Sequence, residues 1–273
     1  MLGRGVRQRH TSGEAGWPVE IRGHILCLWN THPRLTGRAG WNKPGGMDGR
    51  EQIGCEPRPA VGAMIFDLDG TLTRPYLDFD RIRDEIGLPN EPRTPVLEAM
   101  EAMTVEQRAR AEAILERYET EAALASELHD GASEVLAALR RRSIPLGLLT
   151  RNSRRCARIV LERHGLHFDC IYAREDGPIK PSPEPVLEIC RRFGVVPATA
   201  WVVGDYLFDL QAGRRAGVTT VLMLGDSPPP AYADQAHHVV RHLHELLTIM
   251  AIEPGRDEPP HGPPFPGSAL SLR

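Results

Sequence analysis

Short apolar runs alternate with helical patterns through most of the chain. The runs cover residues 63–66, 146–149, 201–203 and 220–223, and each is continuously apolar instead of alternating with polar positions. Such runs are typical of parallel strands that are covered by helices on both faces. A shorter run at 238–240 predicts a final strand. The pattern therefore predicts an α/β fold whose core is a Rossmann-like parallel sheet.

Amphipathic stretches separate the predicted strands. They predict helices over residues 133–142, 153–164, 183–193 and 209–216. The last three stretches are followed by Gly165, Gly194 and Gly217, and glycine ends many helices at this position. In the helix over 183–193, Ser182 is the predicted N-cap and Pro183 the first helical residue.

Residues 77–128 interrupt this alternation, because they contain no convincing strand pattern. Thr104 and Gln107 have the spacing of a capping box, and apolar residues recur behind them at helical spacing. We therefore expect a small helical cap over 77–128, inserted after the first strand into a core of residues 61–76 and 129–252. An insertion at the carboxyl end of a strand lies beside the crevice where such sheets bind ligands, so we expect a lid.

Both ends of the chain lack the periodicity of the core. Residues 1–60 are rich in Gly, Arg, Pro and Trp, and residues 253–273 are rich in Pro. Segments of this composition bury too little apolar surface to offset the entropy of ordering. We therefore predict a disordered N-terminal extension over 1–60 and a disordered tail over 253–273.

Composition and charge narrow the class of protein. The chain has 273 residues and a net charge of −3, which gives no indication of a nucleic-acid partner. No apolar run approaches the ~18 residues of a membrane helix, so we expect no membrane partner. The chain has five cysteines, an odd number, and no two of them have Cys-x-x-Cys spacing. We therefore expect a reduced, cytoplasmic protein, with monomer and homodimer both open.

The strongest chemical signal is a pair of carboxylates directly after the first predicted strand. Asp67 and Asp69 lie two residues apart and are followed by Gly70 and Thr71. Carboxylates placed so closely repel each other unless a cation lies between them. An acidic turn at a strand end is the simpler alternative, since Asp-Gly is a common turn dipeptide.

Polar residues after the later strands extend this signal. Thr150 ends the second strand, Lys180 precedes a run of prolines, and Asp205 and Asp209 follow the third strand. Each has an ordinary alternative when it is taken alone: a helix N-cap for Thr150, a surface lysine for Lys180, a helix-start acid for Asp209. The carboxyl ends of parallel strands meet at one edge, so we expect these residues in one crevice.

Taken together and in this order, the motifs resemble those of the haloacid dehalogenase superfamily, in its phosphatase branch related to phosphoglycolate phosphatase. The resemblance covers roughly residues 61–250. It implies a Rossmann-like core with a helical cap and a small-molecule phosphate ester as substrate. It also implies that Asp67 is the nucleophile, which becomes a phosphoryl-aspartate, and that Asp69 is the general acid and base.

The same resemblance implies a magnesium cofactor. The expected ligands are Asp67, the backbone carbonyl of Asp69, and Asp205, with Asp209 as a supporting metal partner. Hard oxygen ligands of this kind suit Mg²⁺. The remaining phosphate oxygens are expected to be bound by Thr150, Arg151 and Lys180.

One departure from the family pattern concerns the substrate. Relatives that hydrolyse phosphoglycolate or sugar phosphates usually carry an acidic residue soon after Gly-Thr-Leu, whereas this chain has Thr73, Arg74 and Pro75. We consider two interpretations of Arg74 and Arg151. They bind a second anionic group on the substrate, or they are hinge and surface arginines.

Three other activities use related residues. A sugar-phosphate mutase would keep every motif and differ only in what accepts the phosphoryl group. A carbon–halogen hydrolase of the same fold would normally lack the carboxylate at Asp69. A non-enzymatic phosphoacceptor module would lack both the Asp-x-Asp-Gly-Thr run and the cap insertion. The phosphatase is therefore the favoured interpretation, with the phosphotransferase as its alternative.

Overall fold

The computed structural model describes residues 61–89, 91 and 93–251. The two segments predicted to be disordered, 1–60 and 253–273, lie outside the described residues, and those predictions stay predictions. Within the described part, no helix is both long enough and apolar enough to span a bilayer.

Six parallel strands form one sheet, in the order β3-β2-β1-β4-β5-β6. The strands are β1 (Ala63–Phe66), β2 (Leu146–Leu149), β3 (Cys170–Tyr172), β4 (Ala200–Gly204), β5 (Thr219–Met223) and β6 (His238–Val240). The α/β fold with a Rossmann-like parallel sheet is therefore confirmed. β1 lies at the centre between β2 and β4, so its carboxyl end opens at the middle of the sheet edge.

Eight α-helices accompany the sheet in the described residues. They are α1 (Phe79–Ile86), α2 (Val96–Glu101), α3 (Val105–Ala125), α4 (Ala132–Arg141), α5 (Arg154–His164), α6 (Glu184–Phe193), α7 (Leu207–Ala216) and α8 (Glu245–Ile249). Helices α5, α6 and α7 end at the predicted glycines, each in the left-handed conformation. Ser153 caps α5 by accepting a hydrogen bond from the Cys156 N–H at 3.2 Å.

All four predicted helices start one or two residues away from the predicted position, and local hydrogen bonds account for two of these differences. Helix α6 begins at Glu184, so Pro183 is its N-cap and not its first residue; Ser182 instead accepts a hydrogen bond from the Glu184 N–H at 3.2 Å. Helix α7 begins at Leu207, two residues before the predicted start. The cause is Asp209, whose carboxylate accepts from the Tyr206 N–H at 3.1 Å and so closes the first turn.

Alternate residues of β1 face opposite sides of the sheet. Met64 and Phe66 pack in a cluster with residues of α4, α5 and α8, while Ala63 and Ile65 pack in a second cluster with residues of α6 and α7. Helices therefore cover both faces of β1 and shield them from water, which explains why the strand is apolar at every position. The first polar side chain after β1 is Asp67, directly past the end of the strand, where the site is built.

The segment proposed as the cap, 77–128, has its own apolar cluster. Ile82 of α1, Met100 of α2 and Leu115 of α3 pack together in it. Thr104 and Gln107 form the predicted capping box at the start of α3. The last turns of α3 instead contact α5, where the Ser126 hydroxyl lies 2.9 Å from His164 Nε2. Helix α3 therefore connects the proposed cap to the sheet-bearing core.

Candidate active site

The carboxyl ends of three neighbouring strands carry the predicted site residues. Asp67 directly follows β1, Thr150 directly follows β2 and Asp205 directly follows β4. The ladder continues one residue past β1, because the Asp67 N–H donates to the Val203 carbonyl at 2.9 Å. The parallel register thus brings these side chains to one edge of the sheet.

Lys180 lies at the centre of this edge and is 3% exposed. Its Nζ donates hydrogen bonds to Asp67 Oδ1, to Asp209 Oδ1 at 2.6 Å and to the Leu149 carbonyl at 3.0 Å. Burial alone would favour the neutral amine, but the charges of Asp209 and Asp67 raise the pKa of Lys180 above its usual value. The side chain is therefore a fixed ammonium ion beside the predicted nucleophile.

Three carboxylates converge around this ammonium ion. One oxygen each of Asp67, Asp205 and Asp209 lies within 4.8 Å of the others. Burial, together with the charges of Asp209 and Asp205, raises the pKa of Asp67 well above its usual value, against the opposing effect of Lys180. Burial and the charge of Asp209 raise the pKa of Asp205 to about 7. One lysine does not balance three carboxylates, so the donor set fits a divalent cation with hard oxygen ligands.

Asp69 lies beside this group, and its carboxyl has a separate partner. Asn152 Nδ2 donates a hydrogen bond to Asp69 Oδ2 at 3.0 Å, and Asn152 is 5% exposed. Burial raises the pKa of Asp69, and this hydrogen bond opposes the rise. Sequence reasoning missed Asn152, although its position two residues after Thr150 was a signal that could have identified it.

The turn after Asp69 is fixed against Asp205. Gly70 has a φ of +87°, a conformation that residues with a side chain rarely adopt, and an added Cβ there would collide with the Asp205 carboxylate. The Thr71 hydroxyl donates to Asp205 Oδ1 at 3.0 Å. His129, which sequence reasoning also missed, lies with Nε2 3.2 Å from the Gly70 carbonyl oxygen. The loop is thus held from two sides.

Thr150 and Arg151 differ in how much hydrogen-bonding capacity they leave for a phosphate. Thr150 Oγ1 accepts from the Asn152 N–H at 3.0 Å, which leaves its hydroxyl hydrogen able to donate. Arg151 donates to the Lys180 carbonyl at 2.6 Å and pairs with Glu98 of α2 at 2.7 Å. Its guanidinium also lies 4.5 Å from the centre of the Phe208 ring. Arg151 is therefore already engaged by the protein.

Arg74, the second arginine considered for anion binding, is also paired. Its Nη2 lies 3.0 Å from Asp130 Oδ1, and both side chains are exposed. The two residues belong to the two chain segments that connect the core with the proposed cap. The Arg74 N–H also donates to the Glu127 carbonyl at 2.8 Å, so the contact joins these two connections.

An open cleft of about 610 Å³ lies between helices α2 and α3 and the loops after β2 and β3. Leu97, Met100 and Leu115 supply apolar surface on the helix side. Ser153 borders the cleft on the other side and is the neighbour of Asn152, the partner of Asp69. The cleft therefore borders the loop that carries the hydrogen-bond partner of Asp69.

Comparisons with known proteins agree with this arrangement. N-acetylmuramic acid 6-phosphate phosphatase of Pseudomonas aeruginosa is 26% identical over 226 residues, with 71% of this chain and 96% of that protein covered. Phosphoglycolate phosphatase of Chromobacterium violaceum is 30% identical over 215 residues, with 70% of this chain and 96% of that protein covered. Both matches extend over nearly the whole relative.

A solved structure supports the fold. A hydrolase from Pseudomonas syringae superimposes with a TM-score of 0.61 at 22% identity, covering 70% of this chain and 98% of that one. The model of the haloacid dehalogenase-like hydrolase family matches residues 61–217, a range that contains every predicted site residue. Since that match spans more than half of the 273 residues, the chain belongs to the haloacid dehalogenase-like hydrolases.

Proposed function

We propose that this chain is a magnesium-dependent phosphatase that hydrolyses a small-molecule phosphomonoester. Asp67 attacks the phosphorus atom and becomes a phosphoryl-aspartate, and the alcohol leaves. Water then attacks the phosphoryl group, which departs as inorganic phosphate and restores the Asp67 carboxylate. Two easier steps thereby replace one difficult displacement.

The observation that carries this proposal is the placement of Lys180 between Asp67 and Asp209. A buried ammonium ion favours the ionised form of the nucleophile, against the opposing effect of burial, and presents positive charge where the phosphoryl oxygens would collect. The Thr150 hydroxyl lies at the end of the adjacent strand and supplies a hydrogen-bond donor for the same oxygens. These groups are fixed before substrate binds, so little reorganisation is needed in the transition state.

The carboxylates fit a magnesium ion. Asp67, Asp205 and the backbone carbonyl of Asp69 would hold it, with Asp209 supporting the group. When bound, Mg²⁺ offsets the mutual repulsion of the carboxylates and withdraws charge from the phosphoryl group. The observation behind this fit is the convergence of three carboxylate oxygens within 4.8 Å around a single lysine.

Asp69 moves the protons. Its pKa is raised by burial, so the carboxyl can carry a proton and deliver it to the leaving alkoxide. The resulting carboxylate then takes a proton from the water that attacks the phosphoryl-aspartate. The hydrogen bond from Asn152 keeps this carboxyl directed toward the site.

The names of the relatives support a phosphate ester as substrate, since both proteins described above are phosphatases. A phosphotransferase of the sugar-phosphate mutase type is the alternative, because it would use the same residues and differ only in the acceptor. The fold of a putative β-phosphoglucomutase from Thermotoga maritima superimposes with a TM-score of 0.53 at 22% identity. That likeness concerns the fold alone.

The cysteines support a reducing, cytoplasmic location. Within the described residues, Cys156, Cys170 and Cys190 are buried free thiols. Burial raises the pKa of Cys170 and of Cys190, which keeps both sulfurs in the unreactive thiol form. A small-molecule substrate in that compartment is the partner that we propose.

The test is phosphate release from 4-nitrophenyl phosphate and a panel of small phosphomonoesters, with Mg²⁺ and with EDTA. We expect release that requires Mg²⁺ and disappears in Asp67→Asn. Release in ¹⁸O-labelled water should place the label in phosphate, whereas transfer to an added alcohol would favour the phosphotransferase. A folded protein that releases no phosphate from any ester would refute the phosphatase.

A further inference from the structure

The leaving alcohol must lie on the side of the phosphoryl group that faces Asp69, because Asp69 is its proton donor. The cleft of about 610 Å³ borders this side at Ser153, the neighbour of the Asp69 partner Asn152. Glu119 of α3 is close enough to Asp69 that the charge of Asp69 contributes to raising the pKa of Glu119, although burial is the larger cause. Glu119 in turn pairs with Arg174, which lines the cleft, so the charges of the cleft lie near the position expected for the leaving alcohol.

The cleft carries slightly more negative than positive side chains. Its lining contains three arginines, Arg108, Arg155 and Arg174, and four glutamates. The glutamates are Glu101, Glu112, Glu116 and Glu175. A second anion on the substrate would therefore enter a cleft whose formal charge is already negative.

Each of these arginines already faces a carboxylate of the chain. Arg174 binds both carboxylate oxygens of Glu119, at 2.6 and 3.1 Å, and the Glu119 side chain is 5% exposed. Detaching Arg174 from this pair is costly, because it would leave the buried Glu119 carboxylate without its counter-charge. Arg174 is therefore not available to a substrate anion.

The other two arginines are paired on the surface of α3. Arg155 lies 2.8 Å from Glu116, and Arg108 lies 3.9 Å from Glu112. Arg151, on the neighbouring loop, is paired with Glu98. An anion that approaches any of them meets the paired glutamate beside it as a like charge.

We propose, on the basis of the phosphatase function above, that this cleft selects phosphomonoesters of uncharged or cationic alcohols and discriminates against alcohols that carry a second anion. A hydroxyl group can accept from an arginine and donate to a glutamate without breaking their pair. An ammonium group gains the attraction of the excess carboxylates. A carboxylate on the alcohol is repelled by the excess of glutamates, and every arginine that lines the cleft is already paired with a glutamate.

Three esters of nearly equal size test this selection, since they differ only in the terminal group. They are phosphoglycolate, 2-hydroxyethyl phosphate and phosphoethanolamine, which end in a carboxylate, a hydroxyl and an ammonium. We expect kcat/KM for each of the last two to exceed that for phosphoglycolate by about tenfold or more. Equal values, or a preference for phosphoglycolate, would overturn the inference.

A substitution on α3 locates the effect in the cleft. Glu116→Gln removes a negative charge and frees Arg155, so it should raise kcat/KM for phosphoglycolate several-fold and lower it for phosphoethanolamine. Glu121→Gln is the matched control, because Glu121 lies on the same helix, pairs with Arg117 at 3.6 Å and does not line the cleft. If both variants and the parent protein rank the three esters identically by kcat/KM, the selection does not arise from the charges of the cleft.

Hydrolysis of 4-nitrophenyl phosphate separates the two proposals. If that ester is hydrolysed in a reaction dependent on Mg²⁺ and Asp67, the phosphatase stands, and the ranking of the three esters decides the inference. Where their turnover is too slow, their competitive inhibition constants against 4-nitrophenyl phosphate supply the ranking. If 4-nitrophenyl phosphate and all three esters are inert, the proposed function fails and the inference fails with it.

Discussion

The side-chain amide of Asn152, on the loop after β2, forms hydrogen bonds through both its nitrogen and its oxygen, and the first of these joins the loop to Asp69. Its Nδ2 donates to Asp69 Oδ2 at 3.0 Å, and its Oδ1 accepts from the Ser153 N–H at 2.7 Å. The second contact fixes the rotation of the amide, so the donor is directed at Asp69. Asn152 thereby orients the proposed proton donor.

We predict that Asn152→Ala lowers kcat by about 10- to 100-fold with a smaller change in KM, because general acid catalysis depends on a positioned carboxyl. Asn152→Asp keeps the acceptor for the Ser153 N–H but replaces the donor with a carboxylate next to Asp69, so its kcat should be lower still. Steady-state kinetics on one ester, with circular dichroism as a folding control, gives the comparison. If Asn152→Ala has the same kcat as the parent protein, Asn152 does not position the proposed proton donor.

His129 contacts the turn after Asp69 from the side opposite Asp205. It is 9% exposed, and a carbonyl oxygen only accepts hydrogen bonds, so Nε2 carries the hydrogen that is donated to Gly70 at 3.2 Å. Its backbone N–H also donates to the Leu72 carbonyl at 2.9 Å. His129 lies on the chain segment that returns from the proposed cap, so it joins that segment to the turn between Asp69 and Thr71.

Replacing His129 by Leu should lower kcat by about fivefold, since one hydrogen bond is worth about 1 kcal/mol and its loss frees the turn. His129→Gln keeps an N–H donor and should restore much of the activity. His164→Leu is the control, because His164 binds Ser126 at the end of α3 and does not touch the catalytic loop. Equal losses in all three variants would indicate a general effect on folding instead of positioning.

The strand ends could be predicted from sequence, whereas the partners of most site residues could not. Continuous apolar runs predict β1 and β4, and Asp67 and Asp205 directly follow these runs, so both carboxylates are predicted at strand ends. The carboxyl ends of parallel strands lie at one edge of the sheet, so the two residues are also predicted to be neighbours. Strand β3, which has three residues, was not predicted from the sequence.

Contacts across long sequence separations account for what was missed in the site. Asn152 lies 83 residues from Asp69 along the chain, and His129 lies 59 residues from Gly70. Arg151 looks like a free cation in sequence, yet it is paired with Glu98, 53 residues away. The pattern of apolar and polar residues within one segment does not predict such pairs, since they depend on how the helices pack against the sheet.

Lys180 should be required for stability as well as for activity. Lys180→Met would leave Asp67 and Asp209 buried without a counter-ion, and breaking a buried ion pair in this way costs about 3–5 kcal/mol. We expect a loss of that size in the free energy of unfolding at neutral pH, measured by urea denaturation in EDTA, together with loss of phosphate release. Asp67→Asn should abolish activity without that loss of stability. Equal stabilities of the two variants would show that the ammonium ion is not what balances these carboxylates.

The carboxylate group should make the metal-free protein less stable as the pH rises. The pKa of Asp205 is about 7 in the folded protein against an ordinary value of 3.8. Between these values the folded state binds a proton that the unfolded state has lost. The free energy of unfolding therefore falls as the pH rises from about 4 to about 7, and is constant above that range as far as Asp205 is concerned. The raised pKa values of Asp67 and Asp69 act in the same direction.

His129 opposes this trend, because burial lowers its pKa below the ordinary 6.5, so its contribution to stability is lost as the pH falls. Comparing the parent with Asp205→Asn cancels the His129 contribution. In EDTA, we expect the stability advantage of Asp205→Asn over the parent to grow from about pH 4 to about pH 7. In saturating Mg²⁺ the order should reverse, because the cation favours the charged carboxylate. Urea titrations at several pH values measure both, and a difference that is independent of pH and of Mg²⁺ would refute the proposed placement of the metal.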